Sequence, residues 1–348
     1  MTEIRIITTA TEMRGIAQTW DAALLAAGCT EVSLTSFWLI RWLEYFECHG
    51  RARIVLGTGA DGKINVQAAF LAPENRWAPV LTSLTNLYAN RSAIVATGDG
   101  QAALAEWLAG QKAAVFKLGR FPNTDPHLQL TKGAMISRAF DLPVLDTTTS
   151  FASFLSEKSA NFRKSFRRAT KDQSALNTIV EKTPDTHIDA VFSISARTWK
   201  QDAGTAIVSS PATKSFYGTL LQEDTKGHVV RPFLVLMRKD NVPVGFMLGL
   251  VFNRVLHLVK MGYDTQIKKC SPGFGLLGAS VTTACDNPDI DLIDLDALGP
   301  HGDYKMRWAT DVLKLENTIA FSNSPRGRIA RTLWRVKRKL KPIPEPKI

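Results

Sequence analysis

RPFLVLMRKDNVPVGFMLGLVFNRVLHLVKMGYDTQIKKCSPGFGLL, residues 231–277, is the stretch on which the fold turns. It holds three apolar runs, 231–238, 244–251 and 255–263, each of strand length and rich in branched and aromatic side chains. The segment KDNVP separates the first two, and the dipeptide Asn253–Arg254 separates the second pair. The spacing predicts a three-strand meander. Next comes C-S-P-G-F-G, residues 270–275, directly before a helix expected over 276–285. Glycine lets a backbone approach a ligand closely, and a helix start offers unpaired N–H groups and a positive dipole end. Pro272 has no N–H to give but suits the first turn of a helix. On spacing alone, a GxG at a strand–helix junction is more often a tight turn than a phosphate site.

Working outward from this stretch, residues 291–295 read as a buried strand, 303–312 as a short helix and 315–321 as a last strand. Upstream, Ser150 is a candidate cap for a helix that continues as a basic helix over 161–175, followed by helices over 187–200 and 211–222. The first half predicts a helix over 9–27, a second helix capped by Ser36, and strands at 53–56 and 64–71. A helix over 101–108 and a strand at 114–118 complete it. The Pro- and Thr-rich DLPVLDTTTS suits a linker. The expected division is therefore 1–145, 146–321 and a basic tail, 322–348. No sequence repeat of 20–50 residues appears, although both halves share an order of helices followed by a meander.

A chain of 348 residues is long for one hydrophobic core, since single cores stop growing near ~250–300 residues. With 45% hydrophobic and 22% charged residues it has the composition of a globular protein, not of a disordered or fibrous one. The longest nearly apolar run, residues 242–252, is too short for a bilayer span, which takes about 20 residues. MTEIRIITTA has no apolar h-region, so no secretory signal is expected and the protein is placed in the cytoplasm. Cys29, Cys48, Cys270 and Cys285 show no CxxC spacing and are expected as free thiols. The six histidines form no HxH, HExxH or HxxxH pattern, so no metal is expected.

The net charge of +11 is uneven. Residues 322–348 hold nine basic residues and one acid, leaving the body nearly neutral. That is not the surface DNA asks for. A second basic cluster, FRKSFRRATK, carries Arg163, Lys164, Arg167, Arg168 and Lys171.

The meander, the GxG turn and the following helix together resemble the acyl-CoA-binding core of the GNAT acyltransferases. The closer likeness is to the GNAT-like acetyltransferases of bacterial polysaccharide operons, related to the CelD group and to Fem-like aminoacyl transferases. FRKSFRRA (162–169), ARTWKQDAG (196–204), PVGFMLGL (243–250), MGYD (261–264), SPGFGLL (271–277) and IDLDALGPHGDYKMRW (293–308) carry it. The aromatic FWLIRWLEYF and NLYANRSAIVA of the first half fit as well. The resemblance spans roughly residues 20–321. It implies an α/β (α+β) fold of two tandem GNAT-like domains, each a mixed, mostly antiparallel sheet flanked by helices. It also implies an acceptor cleft between the domains, and transfer of an acyl group from acetyl-CoA or another acyl-CoA to an amine, such as an amino sugar. On this resemblance Ser271, Gly273, Phe274 and Gly275 would line the donor pyrophosphate. The family's G-D-x-Y-K-x-x-W-like segment falls on Gly302, Asp303, Tyr304, Lys305 and Trp308. One departure stands out: many GNAT loops begin with Gln or Arg, and here that place is Cys270.

Acylating an amine requires a group that removes a proton and donors that hold the oxyanion. Tyr304, Asp303 and Asp264 are the catalytic candidates, with Tyr263, Asp294, Asp296 and His301 also able to donate or accept. Lys305, Trp199, Arg163 and Arg167 are candidates for holding the acceptor, Lys305 through an anionic group such as a nucleotide- or lipid-linked phosphate. Packing is the plainer reading for the tryptophan, and a solvated helix face for the arginines.

GRIARTLWRVKRKLKP places Ile329, Leu333, Val336 and Leu340 on one helical face. Arg328, Arg331, Arg335, Lys337 and Arg338 lie largely off it. Such a helix suits an anionic membrane surface, which would make the protein peripheral at the inner membrane. It also suits packing on the body with charges outward. Arg331-x-x-x-Arg335 could grip cyclic di-GMP, although a pair of arginines in so basic a segment says little. Two other functions remain open. One is a Fem-like transferase using aminoacyl-tRNA; the other is a non-catalytic scaffold or cyclic-dinucleotide receptor.

Overall fold

The computed structural model describes residues 1–46, 50–75, 77, 79–84, 91–123, 125, 127, 133–201, 204–222, 229–297 and 303–340. The chain opens with β1 (Glu3–Ile7), α1 (Ala10–Ala26) and α2 (Ser36–Tyr45). The cap of α2 is Thr35, one residue before the expected Ser36: its side chain accepts from the Trp38 N–H. Then follow β2 (Ala52–Thr58), β3 (Ile64–Leu71), β4 (Val80–Ser83), β5 (Val95–Ala96), α3 (Asp99–Ala109), β6 (Val115–Pro122) and β7 (Met135–Asp146).

The strand β7 corrects the linker expected at DLPVLDTTTS. Leu142, Val144 and Leu145 are buried, and Val144–Asp146 pair with a later strand, so apolar burial outweighs the Pro signal. After β7 come two capped helices, α4 (Phe151–Glu157) and α5 (Ala160–Asp172). The Ser150 side chain accepts from Ser153 N–H, and Ser159 accepts from Phe162 N–H. The next elements are β8 (Leu176–Glu181), α6 (Ile188–Ala196), α7 (Pro211–Leu220) and the meander β9 (Arg231–Lys239), β10 (Val242–Phe252) and β11 (Val255–Tyr263). The meander falls where the sequence predicts it. The chain ends with α8 (Pro272–Cys285), β12 (Leu292–Asp294), α9 (Asp303–Met306), β13 (Asp311–Phe321) and α10 (Pro325–Leu340).

Contacts divide the chain into two compact units, neither continuous in sequence. The first comprises Met1–Glu12, Glu47–Phe140 and Lys314–Ile348. Its strands run in the order β1-β2-β3-β4-β6-β13, with β5 on β3. All these pairs are antiparallel except β4–β6. Its core gathers Val55, Val66, Phe70, Leu104, Leu108, Leu118 and Phe121 between this sheet and α3.

The second unit comprises Met13–Phe46 and Asp141–Leu313. Its order is β7-β12-β11-β10-β9-β8, with β11–β12 the one parallel pair described. On β9, Phe233, Val235 and Met237 join the cluster beneath α8, while Leu234 and Leu236 between them are buried on the opposite face. Both faces are therefore covered. Helices α1 and α2 belong here, and their links are specific. Asn253 Nδ2 donates to Cys29 O (2.9 Å), His257 Nε2 donates to Thr30 O (2.8 Å), and Trp38 meets Phe216 edge-on at 5.1 Å.

No helix among the described residues is long and apolar enough to cross a membrane. Each unit is a mixed, mostly antiparallel sheet flanked by helices.

Candidate active site

The opening in the second unit begins with the pairing of β11 and β12. The two strands match over three residues each, Val255–His257 against Leu292–Asp294. Beyond that pairing β11 continues to Lys260 and Tyr263, while the chain after β12 turns sharply. Asp296 adopts φ 67°, a left-handed conformation that Asp tolerates, and its N–H donates to Asp294 Oδ1 (2.8 Å). Neighbouring β10 carries a bulge at Leu248/Gly249. Bulges re-aim side chains and often accompany sites.

Around this turn the fold gathers three lysines, the carboxylates of Asp296 and Asp294, and two tyrosines, Tyr304 and Tyr263. Lys305, on α9, donates to Asp296 Oδ2 (3.3 Å) and to Ala297 O (3.1 Å). Lys200 donates to Met261 O (2.7 Å), and Lys260 donates to Thr205 O (2.8 Å). Neither Lys200 nor Lys260 makes an ion pair among the described residues. Burial and then the charge of Lys260 push the Lys200 ammonium down to about 8. Burial also lowers the pKa of Lys260. The Asp296 carboxyl is raised, because the cost of removing it from water exceeds the pull of Lys305. Burial and the neighbouring Asp296 push the Tyr304 hydroxyl up to about 12, so it keeps its proton. The site thus pairs a carboxyl poised to take a proton with a hydroxyl that only gives a hydrogen bond, set among excess positive charge.

The sequence candidates divide between this cluster and elsewhere. Tyr304 and Lys305 lie in it, and half-exposed Trp199 borders it, with Lys200 Nζ 6.0 Å from its ring. Asp264 is committed elsewhere: Oδ2 pairs with Arg197 Nε at 2.7 Å, and Oδ1 caps the turn Thr265–Cys270 through Gln266 N–H (2.9 Å). Arg163 holds the end of α4, donating to Ser156 O (2.9 Å) and to Lys158 O. Arg167 is exposed on α5. Asp294 faces His257 Nδ1 at 3.3 Å, both buried. His301, Gly302 and the side chain of Asp303 lie outside the described residues.

Lys200 and Lys260 escaped sequence reasoning, and Asp296 was one acceptor among several. A usable signal was there: Lys260 stands in VLHLVKMGY, a run apolar on both faces, where a lysine has to be housed by something specific.

The glycine turn differs from the expected loop. Helix α8 already begins at Pro272, and Ser271 before it is left-handed (φ 54°). Gly273 and Gly275 therefore sit in the first helical turn. A Cβ on Gly273 would stand 3.2 Å from Met261 Cε, and one on Gly275 would fall 2.0 Å from Gln173 Oε1. Gln173, just past α5, donates through Nε2 to Cys270 O (3.1 Å) and Ser271 O (2.9 Å). Phe274 points away from the turn, against Trp308 (4.8 Å), Phe162 (5.6 Å) and Phe166 (6.1 Å). It packs the core, as does the fully buried Trp308. The turn has features of an anion site. It lies at the positive end of a fourteen-residue helix, Lys268 and Lys269 precede it, and Gly273 carries no side chain there, while Gln173 covers Gly275. Gln173 also engages two carbonyls that would otherwise repel an anion.

Comparison with known proteins bears on the segment and the fold. Residues 156–306, which hold the meander, the turn and the cluster, match the family model described as acetyltransferase (GNAT) domain. No curated protein matches the sequence. Among solved structures, FemX is similar at TM-score 0.62 and 12% identity, covering 96% of this chain and 99% of its own. L-PGS from Bacillus licheniformis is similar at 0.57 and 14%, with 92% and 95% covered. At such identities the likeness is one of fold.

Proposed function

We propose that the protein is an acyl-CoA-dependent N-acyltransferase, in its simplest form an N-acetyltransferase, acting on an amino sugar or related amine of an exopolysaccharide or envelope pathway. The observation that carries this reading is the Asp296–Tyr304–Lys cluster where β11 and β12 part, inside the segment matching the GNAT acetyltransferase domain. An acyl-CoA supplies an activated thioester, and Ser271, Gly273 and Gly275 would hold its pyrophosphate. The remaining work falls to this chain. Asp296 would take the proton of the acceptor amine, and its raised pKa makes it a better base than an exposed carboxylate. Tyr304 Oη keeps its proton and is available to donate to developing negative charge. Lys200 and Lys260, partly buried, with carbonyls as their hydrogen-bond partners and sharing the pull of the single carboxylate Asp296, favour an acceptor that itself carries an anionic group, such as a nucleotide- or lipid-linked phosphate.

Free-thiol release from acetyl-CoA in the presence of amino sugars, with and without a linked phosphate, tests the reading. Asp296→Asn is expected to lower the rate about 100-fold or more with donor binding unchanged, and Tyr304→Phe to lower it less. Unchanged rates in both variants would remove the cluster from the chemistry.

One observation favours a second donor. The Gln173 carboxamide occupies the space a pyrophosphate would approach at Gly275. If Gln173 stays there, an aminoacyl-tRNA donor of the Fem-like kind replaces acyl-CoA, and charged tRNA should then support transfer where acetyl-CoA does not.

A further inference from the structure

Helix α10 settles on the first unit by one side. Trp334 meets Phe321 at 6.0 Å between ring centroids, and Arg331 donates to Phe321 O (3.2 Å). Gly327 is buried so close to the end of β13 that an added Cβ would lie 2.2 Å from Ser322 O. At about 100° per residue, Ile329, Leu333 and Val336 fall within about 60° of one another and roughly 130° around the helix from Trp334. They point away from the body, 61%, 64% and 49% exposed. Arg326 and Lys337 border this stripe on one side, Arg328 and Arg335 on the other, and all four are exposed. Residues 325–340 contain no acid.

Packing on the body therefore accounts for one face of α10 and leaves its apolar stripe in water. Three aligned large apolar side chains, rimmed by cations, ask for a surface that is apolar inside and negative at its boundary. A polyphosphate would satisfy the arginines but leave the stripe wet. A second copy pairing through the same face would set two basic rims against each other. We propose that α10 lies on an anionic lipid bilayer, with Ile329, Leu333 and Val336 entering the acyl boundary and Arg326, Arg328, Arg335 and Lys337 among the headgroups. Trp334 and Gly327 seat the helix by its other side, so the stripe faces away from the body. This docking is independent of the reaction the second unit performs.

The test is co-sedimentation of the full-length protein with phosphatidylcholine vesicles, with and without 30% phosphatidylglycerol (a composition of about this charge suffices). The wild type is expected to bind the anionic vesicles about tenfold or more better than the neutral ones, and to be released by high salt. Ile329→Ser with Leu333→Ser, and separately Arg328→Glu with Arg335→Glu, are each expected to reduce binding about tenfold. All four positions are exposed, so the thermal transition should not move, which separates lost docking from lost folding. The proposal is overturned if the wild type stays in the supernatant with anionic vesicles. It is also overturned if the serine variant binds as well as the wild type, or if sedimentation velocity shows a dimer that the serine variant abolishes.

Discussion

Lys200 sets the electrostatics of the candidate site at the scale of a single residue. Its ammonium is held by one carbonyl, Met261 O, and burial beside Lys260 brings its pKa from 10.5 to about 8. A folded-state pKa below the unfolded value means that the unfolded chain binds more protons between those two values. Stability conferred by the neutral amine is thus fully present above 10.5 and is lost as pH falls through about 8. Lys200→Met removes this dependence. Denaturant titrations should find the variant most favoured relative to wild type below pH 8, with the difference shrinking steadily towards pH 10.5. A difference independent of pH would mean that Lys200 is well solvated. Asp296 titrates in the opposite sense. Its raised pKa makes the protonated form easier to fold, so its contribution weakens as pH rises through the folded value.

Elements explain why the glycine turn is built as it is. Helix α5 ends at Asp172, and Gln173 reaches from there to the carbonyls of Cys270 and Ser271 just before α8. Gly275 leaves the room that Gln173 fills. Gly275→Ala is expected to displace the carboxamide and cost about 1–2 kcal/mol, the worth of two net hydrogen bonds. In a Gln173→Ala background the same substitution should cost almost nothing, and a double-mutant cycle by urea unfolding measures the coupling. Equal costs in both backgrounds would mean that Gln173 is no tie.

The meander was legible because its alternation and turns are local signals: β9, β10 and β11 fall within a few residues of their sequence reading. The start of α8 was not, because a Pro at the first helical position looks like a loop until the left-handed Ser271 is seen before it. The helix expected over 303–312 stops at Met306, since buried Trp308 turns the chain inward and β13 begins at Asp311. Strand β8 was missed altogether; its residues are only half-buried and its partner β9 lies over fifty residues away. In the site, Tyr304 and Lys305 were readable from a motif. Lys200, Lys260 and Asp296 meet only through tertiary contact, which spacing cannot carry.

At the scale of the whole molecule, the units are interleaved along the chain. Residues 13–46 pack with the second unit, and residues from 314 onward pack with the first. Cutting at the sequence-derived boundaries would strip the second unit of α1 and α2. A fragment of residues 146–321 would expose Phe216, lose the bonds to Cys29 and Thr30, and keep a strand whose partner β6 is gone. Such a fragment is expected to lack a cooperative thermal transition that the full chain shows. Cooperative unfolding of the fragment would mean that α1 and α2 add little to this core.

Calorimetric titration of the full chain with acetyl-CoA, beside a Gly273→Glu variant that places a carboxylate in the glycine turn, tests the acyltransferase reading most directly. The account predicts one donor bound per chain with micromolar affinity by the wild type, and no heat from a variant that still unfolds cooperatively. A wild type that gives no heat, or a variant that binds equally well, would contradict it.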